Sequence, residues 1–421
     1  MINIFLFMYN MIFVAILPFL LLSLIFKGFK NKEYLKRWNE RVGLVKRLPN
    51  KKRIWIHALS LGEVNAATPL IRRLQSSYSD YDILVTTTTP TGSAQVKKNF
   101  SESIEHFYLP YDFAPFINIF LKNTKPSIGI IIETEIWPNL INISYKHGIK
   151  LFLVNGRLSE KSMKRYLIVK PIFLDLLNRF TMIFVRDHAD AFRFKQLGVS
   201  EEKIEVTGNI KFDMEIDKGI YEKSAKLKDK LSGKFVWTCG STHEGEEEII
   251  LKIFSKLRDE FKNLFLIIAP RDPLRSKEIS NIADRYKLKS IFRTAWDPNN
   301  HLQFDLLIVD TLGELLLFYS LSHLSFIGGS LVPKGGHNPL EPISLGVPTI
   351  SGKFVYNFSE LYKVLYKEEI VQLVNNSDEL YSVVKSIISN PDKRALMAEN
   401  GINYMKKNKG AIDIIIKKLK T

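Results

Sequence analysis

Several short polar loops, each behind an apolar run, carry side chains suited to acid–base and phosphate chemistry. Glu63 follows Ser60-Leu61-Gly62 at the start of an amphipathic stretch. A carboxylate so placed either stabilises a helix N-terminus by roughly 0.3–1 kcal/mol or, because the position favours its ionised form, acts as a general base. A second cluster is Gly335-Gly336-His337-Asn338-Pro339-Leu340-Glu341-Pro342. Its glycines allow a ligand to approach the backbone closely. Asn338 suits a helix cap and Pro339 the first helical position. Two readings stand side by side: Asn338 and Glu341 form a capping arrangement, or helix amides meet a phosphate while Glu341 accepts hydrogen bonds from a ribose diol. Pro270-Arg271 and Leu312-Gly313-Glu314 lie behind two further apolar runs. Arg271 is of a type that pairs with phosphate, although a lone arginine is more often a surface residue. His243-Glu244 lacks the spacing of a zinc-binding H-E-x-x-H, since position 247 is Glu247. No metal site is expected. The single cysteine, Cys239, excludes a disulfide framework or a cysteine metal cluster.

Such loops need elements to hold them. Short apolar runs alternate with helical patterns along the chain. Strands are predicted over Arg53–Leu59, Asp82–Thr87, Ser127–Ile132, Lys150–Val154, Met182–Val185 and Ile204–Thr207. A second series follows over Phe235–Cys239, Leu264–Ala269, Leu306–Val309, Leu324–Ile327 and Val347–Ile350. Between the series, Met214–Lys234 is polar and lysine-rich and reads as a linker. Strands alternating with helices in two blocks imply an α/β protein with two open parallel sheets. Ligands of such sheets bind beyond the carboxyl ends of the strands. The polar loops gather there, and a cleft between two domains is the expected site. The chain has 421 residues, 46% of them hydrophobic, which suffices for two cores.

The net charge of +16 invites a nucleic-acid reading, but its distribution argues against one. Met1–Phe26 carries no charged residue, and eleven lysines and arginines against two glutamates follow between Lys27 and Arg53, a net +9. An apolar run with a basic flank behind it follows the positive-inside pattern, which puts the rest of the chain in the cytosol. Its length is about the ~20 residues that span a bilayer. The order is the reverse of a cleaved signal peptide. A spanning anchor and a helix lying in the interface both fit, given Pro18 and the aromatic-rich start.

The ordered landmarks resemble the Kdo (3-deoxy-D-manno-octulosonic acid) transferases of lipopolysaccharide biosynthesis over nearly the whole chain. They are Arg37-Trp38 with Glu40-Arg41, Ser60-Leu61-Gly62-Glu63, Thr87-Thr88-Thr89-Pro90-Thr91-Gly92 and Leu109-Pro110-Tyr111-Asp112. Further on come Glu133-Thr134-Glu135-Ile136-Trp137-Pro138-Asn139, Asn155-Gly156-Arg157, Thr207 to Asp213, Ser241 to Glu247, and the run from Gly328 to Glu341. The resemblance implies a GT-B fold, two Rossmann-like domains facing a cleft, behind an N-terminal apolar anchor. It divides the chain into an anchor (1–30), an acceptor domain (31–215) and a CMP-donor domain (216–421). It implies Glu63 as the base, Glu133 and Lys211 as groups stabilising the transition state, and a CMP site made of Pro270, Arg271, Leu312, Gly313, Glu314 and Asn338, Pro339, Leu340, Glu341. The donor would be CMP-Kdo, the acceptor the lipid A precursor (lipid IVA), and the place the cytoplasmic face of the bacterial inner membrane. No cofactor, metal or nucleic acid is expected. A UDP-sugar transferase or epimerase of the same fold, and a non-catalytic membrane-bound scaffold, are the rival readings.

Overall fold

The computed structural model describes residues 1–216, 218–297 and 303–420. Two compact units emerge: one takes in residues up to Met214 together with the chain from Asn408, the other runs from Glu215 to Lys407.

The first unit is built on a parallel sheet of β1 (Arg53–His57), β2 (Asp82–Thr87), β3 (Glu105–Tyr108), β4 (Ile128–Ile132), β5 (Lys150–Gly156), β6 (Phe180–Val185) and β7 (Ile204–Val206). The spatial order is β3-β2-β1-β4-β5-β6-β7. β1 and β4 are buried along their whole length, because helices cover both faces of the sheet. One face receives Val64, Leu70 and Leu74 of the helix Leu61–Ser77; the other receives Ile117 and Phe120 of Ala114–Thr124 and Leu140 of Pro138–Lys146. Strand order reverses between β1 and β4, so the loops behind these two strands diverge to opposite faces and leave a crevice between them.

The last helix, Ala411–Leu419, corrects the expected division. Residues 216–421 do not all belong to the second unit: Ile412, Ile415, Ile416 and Leu419 lie on the first sheet's core. Their i, i+3, i+4, i+7 spacing makes one apolar stripe, which needs a hydrophobic partner. Buried Asp213 ties the helix down, accepting the backbone N–H of Gly410 at 2.6 Å and of Ile412 at 2.8 Å.

The second unit repeats the plan with β8 (Phe235–Thr242), β9 (Leu264–Pro270), β10 (Ser290–Phe292), β11 (Leu306–Ile308), β12 (Leu324–Ile327), β13 (Thr349–Gly352) and β14 (Val371–Val374). Their order is β10-β11-β9-β8-β12-β13-β14, all parallel, with the reversal between β8 and β12. The predicted linker is largely structured: Lys218–Lys228 is a helix whose Leu227, with Leu231 beyond it, enters this unit's core.

The N-terminal helix Ile2–Lys30 projects its apolar side chains outward. Ile2–Phe29 has a mean hydropathy of 2.4, and only 6% of its most apolar window is buried. It docks on the first unit through few groups. Asn10 exchanges hydrogen bonds with Asn139 at 3.1 Å and accepts the N–H of Ala114 at 3.0 Å. Phe13 stacks on Phe113.

Candidate active site

The loop behind β1 carries Glu63 into the first turn of Leu61–Ser77. Its Oε2 accepts the N–H of Leu59 at 2.6 Å, and its Oε1 accepts the hydroxyl of Ser60 at 3.2 Å. The carboxylate thereby turns back over the end of its own strand. The hydrogen bonds at the helix start favour ionisation, as the sequence suggests, but burial outweighs them. Burial pushes the carboxyl up to about 7, helped by the negative charges of Glu133 and Glu135, against the opposing hydrogen bonds. Desolvation of a charge outweighs one amide donor and a helix dipole. A carboxylate that titrates near neutrality is matched to general-base work.

Glu133 stands across the strand-order reversal, directly behind β4. It takes a left-handed backbone, φ +61°, while its N–H donates to the carbonyl of Val154 at 2.8 Å. That conformation is costly for a residue with a side chain. It aims the carboxylate at Lys211, whose Nζ donates to Oε1 at 2.9 Å. Lys211 sits in a single 3-10 turn, Ile210–Phe212, where the Asn209 side chain accepts its N–H. Asn155, also left-handed at φ +60°, secures the turn by accepting the N–H of Ile210 at 3.2 Å. The loops behind β1, β4, β5 and β7 thus bring Glu63, Glu133 and Lys211 to one edge of one sheet. Glu135, which the sequence reading did not single out, joins them. It accepts the indole N–H of Trp137 at 2.8 Å, and burial raises its pKa, with Glu133 adding to the rise.

In the second unit the donor-site candidates lie behind β9, β11 and β12. Arg271 follows β9, and its N–H donates to the carbonyl of Thr242 at 2.9 Å. Glu341 is in the first turn of the helix Leu340–Ser344. Asn338 accepts the N–H of Leu340 at 3.2 Å, so the capping reading holds for Asn338. It does not hold for Glu341, whose carboxylate has no hydrogen bond or ion pair among the described residues. Burial raises the Glu341 pKa and the positive charge of Arg271 opposes the rise, which places the two within electrostatic reach. Pro339 and Leu340 open the same helix. Behind β11, Leu312 is exposed and Gly313 adopts φ +80°. The Glu314 carboxylate is already engaged, by Arg293 at 3.1 Å and by the hydroxyl of Thr311.

Two arrangements here escaped the sequence reading. His243 and His337 stack with Nε2 atoms 2.9 Å apart, one donating and the other accepting. Burial and nearby cations push His337 down to about 4 and lower His243. Ninety-four positions separate them, so only the fold reveals the pair. Glu246, fully buried, accepts the N–H groups of His243, Gly329, Ser330 and Leu331 at 2.6–2.9 Å. The backbone amides of the glycine loop behind β12 therefore already hold an internal anion. Among the described residues no group of three or more His, Cys, Asp or Glu is arranged to hold a metal ion.

Residues 36–214 match the family model described as 3-deoxy-D-manno-octulosonic-acid transferase (kdotransferase). A 3-deoxy-D-manno-octulosonic acid transferase of Haemophilus influenzae is 35% identical over 419 residues, 98% of either chain. One of Rickettsia typhi is 34% identical over 364 residues, 86% of this chain and 77% of that one. Among solved structures, UDP-GlcNAc 2-epimerase from Neisseria meningitidis, bound to UDP-GlcNAc, superposes with a TM-score of 0.60 at 15% identity, over 87% of this chain and 99% of that chain. At that identity the likeness speaks for the fold alone, which is GT-B.

Proposed function

The chain belongs to the 3-deoxy-D-manno-octulosonic-acid (Kdo) transferase family, and on that premise we propose that it transfers Kdo from CMP-Kdo to the lipid A precursor, lipid IVA. The convergence of Glu63, Glu133 and Lys211 on one sheet edge, with Glu63 held near neutral pKa, carries the proposal. Glu63 takes the proton from the acceptor hydroxyl as its oxygen attacks the anomeric carbon of Kdo. The bond from that carbon to the CMP phosphate oxygen breaks, CMP leaves with the electron pair, and the configuration inverts. Glu133 offsets positive charge developing on the sugar, and Lys211 both aims Glu133 and supplies a cation to the reacting anions. Arg271 meets the departing phosphate and the free carboxylate of Glu341 receives the ribose hydroxyls, with Pro270, Leu312, Gly313, Glu314 and the turn Asn338–Leu340 completing the CMP site. A CMP-sugar carries one phosphate, so its departure does not require the divalent ion that a pyrophosphate leaving group commonly recruits, and chelator is expected to leave the rate unchanged.

The N-terminal helix fits this acceptor. A row of exposed apolar side chains, including Phe7, Met11, Phe19 and Phe26, is unfavourable in water. Set in the inner membrane, with the basic flank at its cytoplasmic face, the helix holds the catalytic edge beside an anionic lipid substrate. The test is a membrane-fraction assay with CMP-Kdo generated in situ and a tetraacylated lipid A precursor, read by mass spectrometry. A mass gain in Kdo units, absent for Glu63→Ala while CMP binding persists, is expected. No gain from active membranes beside a working control overturns the assignment, and tighter binding of UDP-GlcNAc than of CMP would favour the epimerase-like alternative.

A further inference from the structure

A buried cation near Glu63 has no counterpart in the roles assigned above. Arg41 ends the short helix Trp38–Arg41 and is only 5% exposed. Its guanidinium stacks 4.3 Å from the ring centroid of Tyr108. Nη2 donates to the carbonyl of Thr88 at 3.2 Å. Nε is buried without any partner, and no carboxylate lies within 4 Å among the described residues. Its neighbour is arranged differently. Arg37 stacks on the same ring at 4.7 Å, but it donates to Glu40 at 2.7 Å, to the carbonyl of His106 at 2.8 Å and to Ser93 at 3.1 Å. Glu40 in turn accepts the N–H of Tyr108 at 2.7 Å. One arginine of the pair is therefore fully matched and serves to hold Tyr108, while the other lacks an anion. Burying a guanidinium with its Nε unmatched is costly, and stacking on one ring recovers only part of that cost.

The position of Arg41 says what would complete it. On one side, the Thr88 N–H donates to Leu59 at 3.0 Å, and Leu59 donates to Glu63, so Arg41 is braced against the loop that carries the base. On the other side, the Arg41 carbonyl accepts the N–H of Tyr111, whose ring lies 6.5 Å from that of Phe13 on the apolar N-terminal helix. Arg41 thus stands between the lipid-facing helix and the proposed base. A glycolipid with its chains beside that helix and its reacting hydroxyl at Glu63 passes this point with its sugar headgroup. The planar fork of a guanidinium is suited to bidentate binding of a tetrahedral oxyanion. We propose that Arg41, held against Tyr108 and backed by the Arg37–Glu40 pair, binds a phosphate of the acceptor glycolipid and so registers the acceptor hydroxyl on Glu63. This deepens the Kdo-transfer reading and rests on it.

The experiment uses the full chain in neutral phosphatidylcholine vesicles. It compares the doubly phosphorylated lipid A precursor with the same lipid treated with phosphatase, in wild type, Arg41→Gln and Arg41→Lys. Arg41→Gln is expected to raise KM for the phosphorylated acceptor about 10- to 100-fold, the cost of losing a charge-assisted contact, and to leave KM for CMP-Kdo within about twofold. It is also expected to erase the preference for the phosphorylated acceptor, and Arg41→Lys to restore part of it. Discrimination retained at the wild-type level in Arg41→Gln overturns the proposal. So does a defect confined to stimulation by added phosphatidylglycerol, which would make the anion a bulk lipid headgroup. If Arg41→Gln does not fold, Arg41→Lys carries the comparison: a selective loss on the phosphorylated acceptor supports the site, and none overturns it. Equilibrium binding of the two lipids to the same proteins needs no turnover. A wild type that fails to transfer Kdo yet binds the phosphorylated lipid through Arg41 would therefore refute the reaction and not this site.

Discussion

Replacing Glu63 by glutamine separates what its carboxylate does for chemistry from what it does to the fold. The carboxyl rises from its ordinary 4.5 to about 7, which corresponds to about 3 kcal/mol of linkage between protonation and folding. The sign follows from proton binding. Between pH 4.5 and 7 the unfolded carboxyl has lost its proton while the folded one keeps it. The folded state is therefore favoured at low pH, and that advantage is lost as pH rises through 7. Glutamine cannot ionise and escapes the loss while keeping acceptors for the Leu59 amide. Glu63→Gln should match wild type in stability near pH 4.5 and exceed it increasingly up to pH 8, by as much as ~3 kcal/mol. Thermal unfolding of both proteins from pH 4.5 to 8 reads this as a melting temperature several degrees higher for the variant at pH 8. The same variant should show no transfer, while the wild-type rate climbs with pH through about 7, as the base ionises. Equal stability of the two proteins at pH 8, with a wild-type rate flat between pH 5.5 and 8, would show that Glu63 is ionised throughout and that burial does not tune it.

Three more outcomes follow from the site. Glu135→Gln removes one of the charges that hold Glu63 protonated, so the acidic limb of the pH–rate profile should move to lower pH; an unmoved limb separates the two carboxylates electrostatically. Glu341→Ala should weaken CMP binding about 10-fold or more by removing a charged acceptor, with little effect on acceptor KM; calorimetric titration with CMP that finds unchanged affinity would leave Glu341 as a helix-start acid only. Asp213→Ala forfeits the two amide contacts to Gly410 and Ile412, at a cost of roughly 2–4 kcal/mol, and hydrogen exchange should find the helix Ala411–Leu419 opening first.

How far the sequence discloses this protein depends on how local each signal is. The buried strands were legible because continuous β-branched runs such as Ile128-Gly129-Ile130-Ile131-Ile132 have few other uses. β3, β10 and β14 were not, each being an edge strand of three or four residues with at least two only half-buried, whereas β7, equally short and half-buried, was found from its apolar residues. The gathering of polar loops behind the strands was recognisable, and Glu63, Glu133 and Lys211 lie together on the edge of the first sheet. What those groups do to one another was not legible. The Glu63 pKa depends on burial and on residues seventy and more positions away, and the His243–His337 pair exists only once β8 and β12 lie side by side. The return of Ala411–Leu419 to the first sheet was hidden for the same reason, because an apolar stripe says that a partner is needed and not which one.

Left-handed non-glycine residues and unmatched buried groups occur in both units, and several of them lie near Glu63. Glu133 and Asn155 hold left-handed backbones without being glycine, each at a cost of order 1–3 kcal/mol. Three glutamates, Glu63, Glu133 and Glu135, crowd within electrostatic reach, yet among the described residues a lysine partners only Glu133. Arg41 is buried, with its Nε unmatched and no ion pair among the described residues. Each would be relieved by a conservative change: glycine at 133, glutamine at 63 or 135, methionine at 41. A sequence organised for stability alone would carry such changes, so the combination supports the proposed reading, in which a bound substrate completes the electrostatic imbalance. The imbalance also has a direction. An excess of carboxylates around Glu63 suits a reaction that needs a proton acceptor and a sugar passing through positive charge, and an unmatched arginine beside it suits an acceptor that brings its own negative charge. On the proposed Kdo-transfer reading, the two imbalances fit one substrate at its two ends, the hydroxyl to be deprotonated and the anionic group that positions it.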